Sequence, residues 1–94
     1  MKIRNFVHKG LKKLYLEDSA QGLPPDTVNK LRAMLTFLQD MPDPEKLRAL
    51  PLWKAHQLTA NRKGVWSLHV TRNWRLTFQI KDGEIWDVNY EDYH

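Results

Sequence analysis

Two periods divide the chain. From His8 to about Asp18, Leu11, Leu14 and Tyr15 fall on one helical face, and the run ends before Gly22. Pro24-Pro25-Asp26 predicts the start of a second helix, along which Val28, Leu31, Leu35 and Leu38 recur at steps of three and four. Pro42, Asp43 and Pro44 end it, with a short helical turn through Leu47 and Leu50 expected next. The period then becomes two. Trp66, Leu68 and Val70 alternate with Ser67 and His69, and Trp74, Leu76, Phe78 and Ile80 with Arg75, Thr77 and Gln79. Trp86, Val88 and Tyr90 alternate in turn with Asp87 and Asn89. With Asp82-Gly83 as a hairpin turn, these runs predict an antiparallel meander. Ile3 to Phe6 reads as a brief first strand. The layout is therefore α+β, in the order β-α-α-β-β-β, with both helices on one face of a small, mainly antiparallel sheet.

A chain of 94 residues makes a single domain, 1–94, and its 41% hydrophobic content suits a packed core. It has no cysteine, which removes disulfides, thiolate metal sites and thiol nucleophiles. No segment approaches the roughly 18 apolar residues of a membrane span, so a soluble cytoplasmic protein without membrane partners is the expectation. The net charge of +4 is unevenly spread. Residues 51–81 hold Lys54, Arg62, Lys63, Arg72, Arg75 and Lys81 and no acidic residue, whereas Asp82, Glu84, Asp87, Glu91 and Asp92 crowd the end. The basic stretch suits a polyanion such as RNA or DNA; a solvated hairpin face explains the same charges.

Strand alternation carries chemistry as well as fold. Burying Trp74, Leu76 and Phe78 turns Arg75, Thr77 and Gln79 to the other face, where an Arg with imidazoles and carboxylates on neighbouring strands can surround a phosphate. RNA cleavage through the ribose 2′-OH needs a base, an acid and a cation beside the phosphorus. His titrates near neutrality, and Arg holds phosphate oxygens with a planar fork. The candidates are His56, Arg75, Asp92, Tyr93 and His94. Each has a simpler role open to it: Arg75 can pair with Asp87 or Glu91, and Tyr93 can anchor the last strand. His8 and His69 are read as structural or surface residues, Trp66 and Trp74 as core, and Trp53 and Trp86 as core or as stacking surfaces for bases. The histidines lack the spacing of a zinc site, and no cofactor or metal is expected.

The motifs His56-Gln57-Leu58, Arg62-Lys63-Gly64-Val65-Trp66-Ser67, Asn73-Trp74-Arg75-Leu76-Thr77-Phe78 and Asp92-Tyr93-His94, in that order and spacing, resemble the HigB family of toxins within the RelE/ParE superfamily. The likeness continues upstream through Phe6 and His8-Lys9-Gly10-Leu11 and so spans the whole chain. It implies a RelE-like fold and a toxin that enters the ribosomal A site and cleaves messenger RNA without a metal. It also implies a helix-turn-helix antitoxin of the HigA type, through which the complex reaches operator DNA. By position, the resemblance assigns catalysis to His56, Arg75, Asp92, Tyr93 and His94, and RNA contact to Asn73. Lys54, Arg62, Lys63 and Arg72 are the further RNA-binding candidates. Thr59 stands where family members often carry a Lys, which leaves Lys54, Arg62 or Lys63 to supply that cation. Two other readings share the fold: a ParE-like inhibitor of DNA gyrase that cuts nothing, and a degenerate toxin that only binds its antitoxin.

Overall fold

The computed structural model describes residues 1–93. Its elements run β1 (Lys2–Ile3), α1 (Lys9–Glu17), α2 (Val28–Asp40), α3 (Glu45–Arg48), β2 (His56–Gln57), β3 (Trp66–His69), β4 (Trp74–Lys81) and β5 (Glu84–Asp92). The five strands form one sheet in the order β1-β5-β4-β3-β2. Only β1 pairs in parallel, and the expected meander is β3-β4-β5.

The helices begin and stop where local chemistry allows. His8 caps α1, its Nδ1 accepting from the Leu11 amide at 3.3 Å, and the chain leaves α1 through Asp18 in the left-handed region at φ 55°. A single turn of 3-10 helix at Pro25–Thr27 leads into α2, so the prolines start the turn and not the α-helix itself. Val28, Leu31, Met34, Leu35 and Leu38 of α2 are buried with Leu11 and Leu14 of α1 against Trp66, Leu68, Leu76, Phe78, Ile85 and Val88 of the sheet. Both helices thus cover one face. Leu47 of α3 also reaches the core, and the Trp53 ring packs edge-on against Phe37 at 5.3 Å, which gives it a place in packing.

Three details depart from the hydrophobic pattern. The two-residue strand β2 is too short to leave a period of its own, so the sheet has a strand that the pattern does not predict. The first strand ends at Ile3; Phe6 makes only a single bridge to Val88. Third, β5 carries a bulge: Thr77 faces Asn89, but Gln79 faces Trp86, so one extra residue sits in β5. Asp87 has φ 56°, a left-handed conformation that Asp tolerates better than most side chains. The bulge resets the alternation. Ile85 takes the inner position, while Trp86 is only half-buried and lies beside Gln79, with the Arg4 guanidinium 5.4 Å from its ring centre.

Candidate active site

Cross-strand register places the polar residues of the outer face in two rows. His56 pairs with Ser67, Ser67 with Thr77, and Thr77 with Asn89. One step along, His69 pairs with Arg75 and Arg75 with Glu91. Partners in an antiparallel pair share a face, so Arg75 stands between an imidazole and a carboxylate. The face is not bare: Ser67 and Thr77 are buried, and Arg62 lines the hollow beside Thr77.

Arg75 is held by its own loop. Its Nη1 donates to the carbonyls of Thr71 at 2.7 Å, Trp74 at 3.0 Å and Arg72 at 3.3 Å. Among the described residues no acceptor is bonded to Nε or Nη2, the edge of the guanidinium that suits two phosphate oxygens. The Tyr93 ring lies over the guanidinium, its centre 5.1 Å from Cζ. The backbone amide of Tyr93 donates to the Asn73 carbonyl at 2.6 Å and ties the end of the chain to the β3–β4 turn.

Neither carboxylate that could have paired with Arg75 is bonded to it. Glu91 is taken by Arg62 through two bonds, Nη1 to Oε1 at 2.9 Å and Nη2 to Oε2 at 2.6 Å, and the Thr77 hydroxyl donates to the same carboxylate. The Arg62 hydrogen bond outweighs partial burial and holds the Glu91 carboxyl below its ordinary range. Asp87 exchanges bonds with Asn5, its amide donating to Oδ1 of Asn5 and its own Oδ1 accepting from Nδ2, both at 2.8 Å.

The remaining predicted residues are distributed as follows. His56 is exposed on β2, and its Nδ1 lies 3.0 Å from the Lys54 carbonyl; because a carbonyl only accepts, that bond requires the proton on Nδ1 and leaves Nε2 for chemistry. It stands two strands from Arg75, about 10 Å across the sheet. Asp92 pairs with Trp74, so the pleat turns it away from the Arg75 row, although it borders an open depression of about 310 Å³ with Arg62, Glu91 and Tyr93. Lys54, Lys63, Arg72 and Asn73 are exposed, whereas Arg62 is committed to Glu91. His94 lies outside the described residues.

His69, Thr77 and Glu91 join the site although none was singled out for it in the sequence. Alternation across β3 and β4 puts His69 and Thr77 on the outer face, but only the register shows that His69 faces Arg75. Desolvation, then the charges of Arg75, Lys54 and Lys30, push its imidazole pKa down and favour the neutral ring. Among the described residues no group of three or more His, Asp or Glu side chains is arranged to hold a metal ion.

A family model described as the RelE-like toxin of type II toxin-antitoxin system HigB matches residues 4–94. The chain is 37% identical over 92 residues to an endoribonuclease HigB of Proteus vulgaris, with 98% of this chain and 99% of that protein covered. Among solved structures, YafQ from E. coli strain BL21(DE3) superposes with a TM-score of 0.65 at 20% identity, covering 98% of this chain and 93% of that one. The YoeB-YefM complex from Staphylococcus aureus gives 0.56 at 17% identity, covering 100% and 99%. At those identities the likeness is one of fold.

Proposed function

Because the chain belongs to the HigB-like family, the RelE-like toxins of type II toxin-antitoxin systems, we propose that it stops translation by cutting messenger RNA on the ribosome. The chain is a type II toxin and an endoribonuclease, and its partner is an antitoxin. The substrate is message in the ribosomal A site, which sets the place of action in the cytoplasm. The antitoxin is of the helix-turn-helix HigA type, and operator DNA is met only through the complex.

The observation that carries this reading is the posture of Arg75: one nitrogen is tethered to three carbonyls while, among the described residues, no acceptor is bonded to the Nε–Nη2 edge. A guanidinium fixed in advance does not reorganise as charge builds on phosphorus, which is where electrostatic stabilisation is strongest. A base removes the proton of the 2′-OH, and O2′ attacks the phosphorus in line. The bond to the 5′-oxygen breaks as an acid protonates it, giving a 2′,3′-cyclic phosphate and a free 5′-hydroxyl. His56, His94 and Asp92 share these proton transfers, and Tyr93, already stacked on Arg75, positions the RNA. Lys54, Lys63, Arg72 and Asn73 hold the flanking backbone.

Mapping 5′ ends after expression without the antitoxin tests this. New ends within translated messages are expected, and purified protein should cut ribosome-bound message while sparing the same RNA alone. Intact messages during growth arrest, with gyrase-linked DNA breaks, would overturn it.

A further inference from the structure

The outer face holds a second hollow. It occupies about 130 Å³ and shares Arg62 and Glu91 with the depression beside Tyr93, so both bridge residues line both spaces. The bridge is therefore a wall common to both. Gln79 lies about 13 Å along β4 from Arg75, on the same face, within reach of a base one or two nucleotides from a phosphate held there. We infer that this hollow is a base-binding subsite selecting an RNA base that presents an exocyclic amino group; the inference rests on the endoribonuclease reading above.

The lining argues against a phosphate and for a base edge. Asp87 and Glu91 make the hollow acidic, and its one cation, Arg62, is already bonded to Glu91. Yet hydrogen-bonding capacity is left over. Asn89 accepts from the Tyr90 amide through Oδ1, which leaves its NH2 to donate. Asp87 spends Oδ1 on Asn5, which leaves Oδ2 to accept. Gln79 makes no side-chain bond with the described residues and keeps both functions. Two acceptors next to donors match a base edge on which an amino group sits beside a ring nitrogen, as in cytosine N4 and N3. A carbonyl in the amino position, as in uracil, would face the Asp87 carboxylate. Val7, a largely exposed apolar side chain, and Val65 form opposite edges against which the faces of a ring can rest. The bulge at Asp87 fits the same reading: Asp87 lies on the rim of the hollow in a left-handed conformation, and bulges recur next to sites where a strand must be bent or a side chain re-aimed.

Cytosine against uracil is the cleanest comparison, since the ring is the same and only the amino group changes. Ribosome-bound messages carrying C or U at each position within two nucleotides of the cut would be cleaved by the full-length protein and its Gln79→Leu and Asp87→Asn variants. The reading is the ratio of cleavage with C to cleavage with U, which a change in total rate does not move. Asp87→Asn preserves both the left-handed backbone and the bond to Asn5, so it guards against a folding defect. At one position the unaltered protein should favour C by on the order of tenfold, and both variants should bring the ratio toward one. A ratio within about twofold of one at every position, or one that either folded variant leaves unmoved, overturns the subsite. If the unaltered protein cuts no RNA on ribosomes, the endoribonuclease reading fails instead.

Discussion

On β4, Leu76 and Phe78 point into the helices and are closed to solvent, while Arg75, Thr77 and Gln79, interleaved with them, form the floor of the outer face. The two sets share a backbone but not a logic. Inner residues are chosen by volume and apolarity, properties that each carries by itself. Outer residues acquire meaning from what stands opposite: His69 and Glu91 beside Arg75, Ser67 and Asn89 beside Thr77. The inner face is thus a sum of burial terms, and the outer face is a set of partnerships.

Substitutions on the two faces should fail in different ways. Phe78→Ala empties a fully buried position at the centre of the sheet and should cost about 3–5 kcal/mol in chemical denaturation. Cleavage should fall only with the folded fraction. Arg75→Ala should leave the unfolding free energy within about 1.5 kcal/mol of normal, because the bonds it loses run to carbonyls of its own partly exposed turn. Its cleavage of ribosome-bound message should drop by about 10²–10³, the cost of losing a preset donor to a developing anion. An Arg75→Ala protein that is folded and cuts at the normal rate would make the outer face no more than a solvated surface.

The same contrast governs what was legible in the sequence. The helices and the three long strands follow from Leu31, Leu35 and Leu38 at helical steps and from Trp74, Leu76 and Phe78 at strand steps, because burial imposes its period on the chain itself. Arg75 on the outer face followed by subtraction. Three features did not follow. Strand β2, which carries His56, is two residues long and leaves no period. The bulge at Asp87 is bonded to Asn5, 82 positions away, so the run Trp86-Val88-Tyr90 left the place of Trp86 open between core and surface, and it did not show that Ile85 takes the inner position. The choice of Arg62 as partner for Glu91 is likewise set by how a loop folds over the sheet and by no local rule. Motif resemblance named His56, Asp92, Tyr93 and His94, but it did not supply the arrangement: Asp92 shares its register with Trp74, and Glu91 shares that of Arg75.

Asn5 sharpens the comparison from the sheet's edge. Its amide closes two bonds with Asp87, both at 2.8 Å, and so holds the bulge that shapes the outer face. Asn5→Ala should cost about 1–2 kcal/mol, less than the Phe78 change, because both bonds are exposed. Hydrogen exchange should quicken at the amides of Asp87 and Val88 while those of Leu76 and Phe78 keep their protection. Loss of protection throughout the sheet would mean that the bulge supports the inner face as well.

The smallest effect is the most specific. Glu91 has its carboxyl pKa held below the ordinary value near 4.5, first by the Arg62 hydrogen bond and then, against burial, by Thr77. A group with a depressed folded pKa contributes stability that is complete above its unfolded pKa and is lost as pH falls through the folded one. The protein should therefore lose stability below about pH 4.5 faster than Glu91→Gln does, and the two curves should converge in acid. At neutral pH the difference should be about 1 kcal/mol or less, because the Arg62 side chain is 41% exposed and water screens the pair. Thermal melts from pH 7 to pH 3 measure it. Parallel curves would mean that the bridge contributes nothing to folding. The carboxylate common to the two hollows would then be held there for its position alone.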